Sequence, residues 1–210
     1  MGTTIRRIVL TGIIAAALLV AAGLETLAAA QDGPGTKAVR KANETITKLL
    51  KQKAAPGSEA ESKLAAKVTS SVRDFLDVDA LGQRSLSDHW NSLSAAQQKE
   101  FLDLLRLLIE KNYVKGLRAN LEFEVVYTGE KARGSDTVVS TQIKTTRRGR
   151  PYTLDIDYVL RKDGKSLRAW DVVTDGVGLV ENYRAQFNKI IAKHGFDGLL
   201  SRMKKKAAKL

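Results

Sequence analysis

The sequence predicts an α+β domain: helices first, then an antiparallel meander of four strands, then helices again. Two observations carry this. Apolar residues recur at helical spacing up to about Leu117, then alternate with polar ones from Leu121 to Thr174, and the helical spacing returns at Leu179. The strand-like runs are joined by short Gly-containing connections, which only antiparallel neighbours can use.

The first thirty residues stand outside that domain. Arg6 and Arg7 precede an apolar run from Ile8 to Leu24, and Ala28-Ala29-Ala30 follows. Basic start, apolar stretch and small residues are the layout of a cleaved secretory signal over residues 1–30. The 17 apolar residues also reach the lower limit of a membrane anchor. The paired arginines leave the export route open between the general and the twin-arginine systems. Residues 31–36, Gln-Asp-Gly-Pro-Gly-Thr, read as a mobile leader, so residues 37–210 make up the single expected domain.

In the helical part, Val39, Ile46, Leu49 and Leu50 share one side of a first helix, which Ala55-Pro56-Gly57-Ser58 interrupts. Ser58 with Glu61 forms a capping box for a second helix, whose stripe is Leu64, Val68, Val72 and Phe75. Short turns around Leu81, Leu86 and Trp90 follow. Ser94 with Gln97 opens the longest helix, with Phe101, Leu104, Leu105, Leu108, Ile109 and Tyr113 on its buried side.

The strands follow. Leu121, Phe123, Val125 and Tyr127 alternate with Glu122 and Glu124. Val139, Thr141 and Ile143 share a face of a second strand, Asp136 to Thr146. After the basic turn Arg147-Arg148-Gly149-Arg150-Pro151, a third strand points Tyr152, Leu154, Ile156, Tyr158 and Leu160 to one side. Lys162-Asp163-Gly164-Lys165 turns the chain into a fourth, Leu167 to Thr174. Asp175-Gly176 then hands over to a helix from Leu179 to His194, and beyond Gly195 a basic helix carries Leu199, Leu200 and Met203.

Little in the chain suits catalysis. It has no Cys, so disulfides, thiol chemistry and lipidated cysteine anchors are excluded. Its two histidines, His89 and His194, stand in a turn and before a helix-ending Gly, and no metal site is expected. Asp155 and Asp157 are about 6.6 Å apart along one strand face, an acid/base spacing, but they point away from Leu154, Ile156 and Tyr158 toward solvent. Gly164-Lys165-Ser166 imitates the end of a phosphate loop without its first glycine and reads as a hairpin. The formal charge is +12, and +11 once Arg6, Arg7 and Glu25 leave with the signal. Such a field favours anionic partners, and export excludes nucleic acid among them.

One constellation is more specific. Trp170-Asp171-Val172-Val173-Thr174-Asp175-Gly176-Val177, followed by Leu179-Val180-x-Asn182-Tyr183-Arg184-x-Gln186-Phe187, resembles the signature of the MlaC family of toluene-tolerance auxiliary proteins. Leu81-Gly82 with Trp90, Ser94-x-x-Gln97-x-x-x-Phe101 and Gly195-Phe196-Asp197-Gly198-Leu199-Leu200 are similar to further segments of it, in the same order from Val72 to Met203. The chain departs from the pattern at Gly178, where the family has Ser, and at Leu167, where it has Trp.

The resemblance implies a periplasmic, non-enzymatic carrier without cofactor. A curved sheet and helices would enclose an apolar cavity, with phospholipid as cargo. Its implied partners are an inner-membrane ABC transporter complex with an MCE-domain subunit and an outer-membrane lipoprotein complex. The wall candidates are Leu154, Ile156, Tyr158, Leu160, Val172, Val177, Leu179, Tyr183 and Phe187. The docking candidates are Arg147, Arg148, Arg150, Lys204, Lys205 and Lys206. Two other classes stay open: a lipid-free adaptor for anionic partners, and an acid/base enzyme built on Asp155 and Asp157.

Overall fold

The computed structural model describes residues 32–116, 123–147 and 149–209. The expected signal segment, Leu117, Leu121, Glu122 and Arg148 therefore lie outside the described residues, as do the side chains of Tyr113 and Arg147.

Helix α1 spans Pro34–Leu50, so Pro34, Gly35 and Thr36 form its first turn rather than a mobile leader. Proline suits that turn because its missing N–H would have no intrahelical partner there. The N–H groups of Gly35 and Thr36 instead donate to the Glu130 carboxylate. Helix α2, Glu59–Phe75, opens as expected on Ser58, whose hydroxyl accepts the Glu61 N–H. Asp77 caps α3, Val78–Leu86, through the Ala80 N–H, and is itself paired with Arg161 at 2.5 Å. A 3-10 turn, Ser87–Ser92, leads into α4, Ala95–Gly116, where Ser94 and Gln97 cap reciprocally. The final helix α5, Leu179–Ala207, is kinked at Gly195, whose φ of 65° and ψ of 178° break it at the expected place.

The sheet is antiparallel in the order β1-β2-β3-β4-β5: β1 Phe123–Arg133, β2 Asp136–Arg147, β3 Arg150–Asp163, β4 Ser166–Thr174 and β5 Val177–Gly178. The fifth strand is one more than the four expected. Asp175 and Gly176 both adopt positive φ, 48° and 81°, the backbone of a two-residue hairpin turn whose twist matches its strands. The turn folds Val177 back onto Thr174 and Gly178 onto Val173.

Two bulges bend this sheet. Thr128 is the extra residue between the pairs Tyr127–Thr141 and Gly129–Ser140, and Trp170 is the extra residue between Val159–Asp171 and Leu160–Ala169. Each bulge raises local twist and flips the alternation of side chains beyond it. That flip brings Glu130, opposite Val139, to the face that meets α1.

The helices cover this inner face. Val125, Val139, Ile143, Leu154, Ile156, Tyr158 and Leu160 from the sheet are buried with Val39 and Ile46 of α1, Val68, Val72 and Phe75 of α2, and Phe101 and Leu105 of α4. Each such side chain contributes about 1.5–3 kcal/mol on leaving water, so this layer dominates the fold's stability. Gly82 of α3 lies so close to α4 that an added Cβ would stand 2.7 Å from Leu102. Among the described residues no helix is long and apolar enough to cross a membrane.

Candidate functional site

The register of β3 against β4 sets the apolar wall. Tyr158 pairs with Val172, Ile156 with Thr174 and Leu160 with Ala169, so alternate side chains project to the helical side. Leu154, Ile156, Tyr158 and Leu160 are buried there, and Val172 is half-buried. From α5, Leu179 and Phe187 are buried and Tyr183 is half-buried. The Tyr183 and Phe187 rings stack at 5.3 Å, and Phe187 meets Phe101 of α4 edge-on at 5.4 Å. Burial pushes the Tyr183 phenol up to about 12, because its anion would lose hydration. Val177 stands apart from the other eight. It is 56 % exposed, on β5, a two-residue strand at the edge of the sheet.

An open cleft lies somewhere else. A cleft of about 870 Å³ lies between α1, α2 and the β3–β4 hairpin. Ala38 and Ala42 of α1, Phe75 of α2 and Leu167 of β4 give it apolar walls, and Lys41, Asp74, Lys162 and Lys165 stand at its rim. Phe75 joins it to the apolar layer, meeting the Tyr158 ring edge-on at 5.9 Å. Sequence periodicity gives no sign of this cleft, because its walls come from three elements that meet only in the folded chain. The one hint was Leu167, where a bulky Trp was expected.

The remaining polar candidates have structural partners. Asp155 is exposed and accepts from Gln142, while its backbone N–H donates to Asp175. Asp157 pairs across to Val173 on the outer side of the sheet. His194 lies 2.9 Å from Arg202. Arg184 donates to the Arg84 carbonyl and ties α5 to α3. Gly164 and Lys165 form the β3–β4 turn, as expected. Among the described residues no three His, Cys, Asp or Glu side chains stand close enough to hold a metal ion.

Of the docking candidates, Arg150 is exposed at the start of β3, and Lys205 and Lys206 are exposed on the last turns of α5. Lys204 is held 2.5 Å from Glu100 of α4, so part of its charge is spent internally. The arrangement thus offers apolar surface and positive charge rather than a reacting pair.

Comparison with known proteins points the same way. A relative from Haemophilus influenzae, named intermembrane phospholipid transport system binding protein MlaC, is 22% identical over 143 residues, which is 67% of either chain. A phospholipid-binding protein from Ralstonia solanacearum, solved in complex with a phospholipid, superposes with a TM-score of 0.67 at 22% identity. That match covers 82% of this chain and 96% of the Ralstonia chain, so the two share a fold. The family model described as MlaC protein matches residues 40–205, from α1 through the last turns of α5, and the chain belongs to that family.

Proposed function

We propose that this protein is a periplasmic phospholipid carrier, which moves lipid between the outer and inner membranes and so helps keep the outer membrane asymmetric. The observation that carries this reading is family membership across residues 40–205, essentially the whole folded domain. The bound phospholipid of the Ralstonia relative, on the same fold, supports it.

The physical need is simple. Exposing two acyl chains of roughly 15 methylenes each to water costs about 24 kcal/mol, at about 0.8 kcal/mol per methylene. A pocket as apolar as the bilayer makes the exchange nearly neutral, and no nucleotide or catalytic group is then required of the carrier itself. In this reading the chains insert between the inner sheet face and the helices, beside the buried core residues Leu154, Ile156, Tyr158, Leu160 and Phe187. Export by a cleaved segment over residues 1–30 places the carrier between the membranes. There it exchanges cargo with an ABC transporter complex carrying an MCE-domain subunit on one side and a lipoprotein complex on the other.

Lipid extraction or native mass spectrometry of protein purified from bacterial membranes' own compartment tests the reading. Phospholipid at near one molecule per chain is expected. A chain that carries none, and takes up none from vesicles, is not a carrier.

A further inference from the structure

Lys41, Lys162 and Lys165 form no ion pair with any described residue, although they border one cleft. Among the residues that line the cleft there is a single carboxylate, Asp74. Several other cations of the chain are neutralised locally: Arg73 pairs with Glu110, Arg161 with Asp77, Arg168 with Asp163, and Lys204 with Glu100. Three unpaired ammonium groups over walls of Ala38, Ala42, Phe75 and Leu167 give a cationic rim above an apolar floor. The volume of about 870 Å³ suits a ligand of small-molecule size.

We propose that this cleft seats the head of an anionic phospholipid, its phosphate at the lysine rim and the start of an acyl chain on the apolar floor beside Phe75. This rests on the carrier reading and adds to it a place and a head-group class. The floor leads inward, because Phe75 is packed against Tyr158 of the wall. A chain following it leaves the polar rim for the layer between sheet and helices. The neighbouring N-terminus of α1 does not compete for the phosphate, since Glu130 occupies its Gly35 and Thr36 N–H groups.

A head bearing one phosphate and no cation is favoured by three lysines facing one carboxylate. A zwitterionic head brings its own ammonium into the same positive field and gains less. Exposed charges contribute modestly, so the expected preference is roughly five-fold for the anionic over the zwitterionic lipid.

The experiment loads the full mature chain from vesicles holding equal amounts of phosphatidylglycerol and phosphatidylethanolamine, then extracts and counts the bound lipid. Bound lipid should be enriched roughly five-fold in phosphatidylglycerol. The triple variant Lys41→Gln, Lys162→Gln, Lys165→Gln should return the ratio to that of the vesicles, with total lipid and melting temperature unchanged. The corresponding Lys→Arg triple should keep the enrichment. A separate variant, Leu167→Trp, narrows the floor and should lower uptake of both lipids. Enrichment that survives the Gln triple, or a wild-type ratio equal to that of the vesicles, overturns the head-group seat while leaving the carrier intact. Absence of any bound lipid in the wild type instead removes the carrier reading itself.

Discussion

Glu130 of β1 accepts hydrogen bonds from both the backbone N–H and the hydroxyl of Thr36, at 2.7 and 2.8 Å, and a third from the Gly35 N–H at 3.1 Å. A carboxylate from the sheet thus closes the N-terminus of α1, satisfying donors that the helix leaves unpaired and meeting the positive end of its dipole. The contact depends on the bulge at Thr128, which turns Glu130 to the helical side.

Glu130→Ala should therefore lower unfolding free energy by about 1.5–3 kcal/mol, the range for hydrogen bonds to a charged group. Burial works to raise the Glu130 pKa, but the bonds from Thr36 and Gly35 outweigh it and hold the carboxyl below its ordinary 4.5. A depressed folded-state pKa gives stability that is fully present above the unfolded value and is lost as pH falls through the lower one. Urea unfolding of wild type and Glu130→Ala should differ at pH 7 and converge below pH 4.5 as both carboxyl states become protonated. A constant difference down to pH 2 would show that the charge is not what matters.

How much of this was legible beforehand can be read at particular residues. Ser58 and Ser94 cap where capping boxes were expected, because that signal is local and needs no tertiary partner. The alternation in β3 marked Leu154, Ile156, Tyr158 and Leu160 as one face, and all four are buried. The bulges at Thr128 and Trp170 were not visible, since an extra residue shows only against its partner strand. The first turn of α1 was missed for the same kind of reason: Gly-Pro-Gly reads as a leader until Glu130 arrives from β1. The cleft needed α1, α2 and the β3–β4 hairpin side by side, and no single segment records that meeting.

Asp171 supplies the cap that Gly178, standing where Ser was expected, has no side chain to give. Its carboxylate accepts the Val180 N–H at 3.0 Å, so a strand residue does the capping that the N-cap side chain would otherwise supply to α5. Gly178 has φ −71°, ordinary for any residue, but a Cβ on it would lie 2.9 Å from the Asp171 carboxylate. In this chain the constraint on a side chain there is room, not backbone freedom. Gly178→Ala should cost about 1–3 kcal/mol by crowding. In an Asp171→Ala background the same change should cost clearly less, a coupling that a double-mutant cycle reads directly. Additive costs would mean that the two sites do not crowd each other.

Tyr183 gives a spectroscopic handle on the α4–α5 packing. Its phenol is pushed up to about 12 from an ordinary 10.0 by burial. Because the folded value is raised, Tyr183 leaves stability unaffected below pH 10 and lowers it as pH climbs from 10 toward 12, where the unfolded chain has already given up the proton. Absorbance titration near 295 nm should show that Tyr183→Phe removes one late-ionising tyrosine from the wild-type curve. Loss of a tyrosine titrating near 10 would place the ring in solvent, away from Phe187.

Transfer between membranes should depend on cations outside the cleft. Arg150, Lys205 and Lys206 are exposed and make no ion pair with a described residue, whereas Lys204 is engaged by Glu100 at 2.5 Å. Exposed like charges act over distance, raising encounter rates with anionic surfaces, and salt screens them with a Debye length of about 8 Å at physiological strength. An ion pair that is already formed contributes less to that outer field. Replacing Arg150, Lys205 and Lys206 with Gln should slow lipid transfer to anionic acceptor vesicles several-fold at low salt and flatten the salt dependence, while bound lipid per chain stays constant. Removing the pair as a whole, Lys204→Gln with Glu100→Gln, should change the rate little, since the net charge is unchanged. If the triple variant transfers at the wild-type rate at every salt concentration, these side chains serve solubility only, and steering has to come from another part of the basic surface.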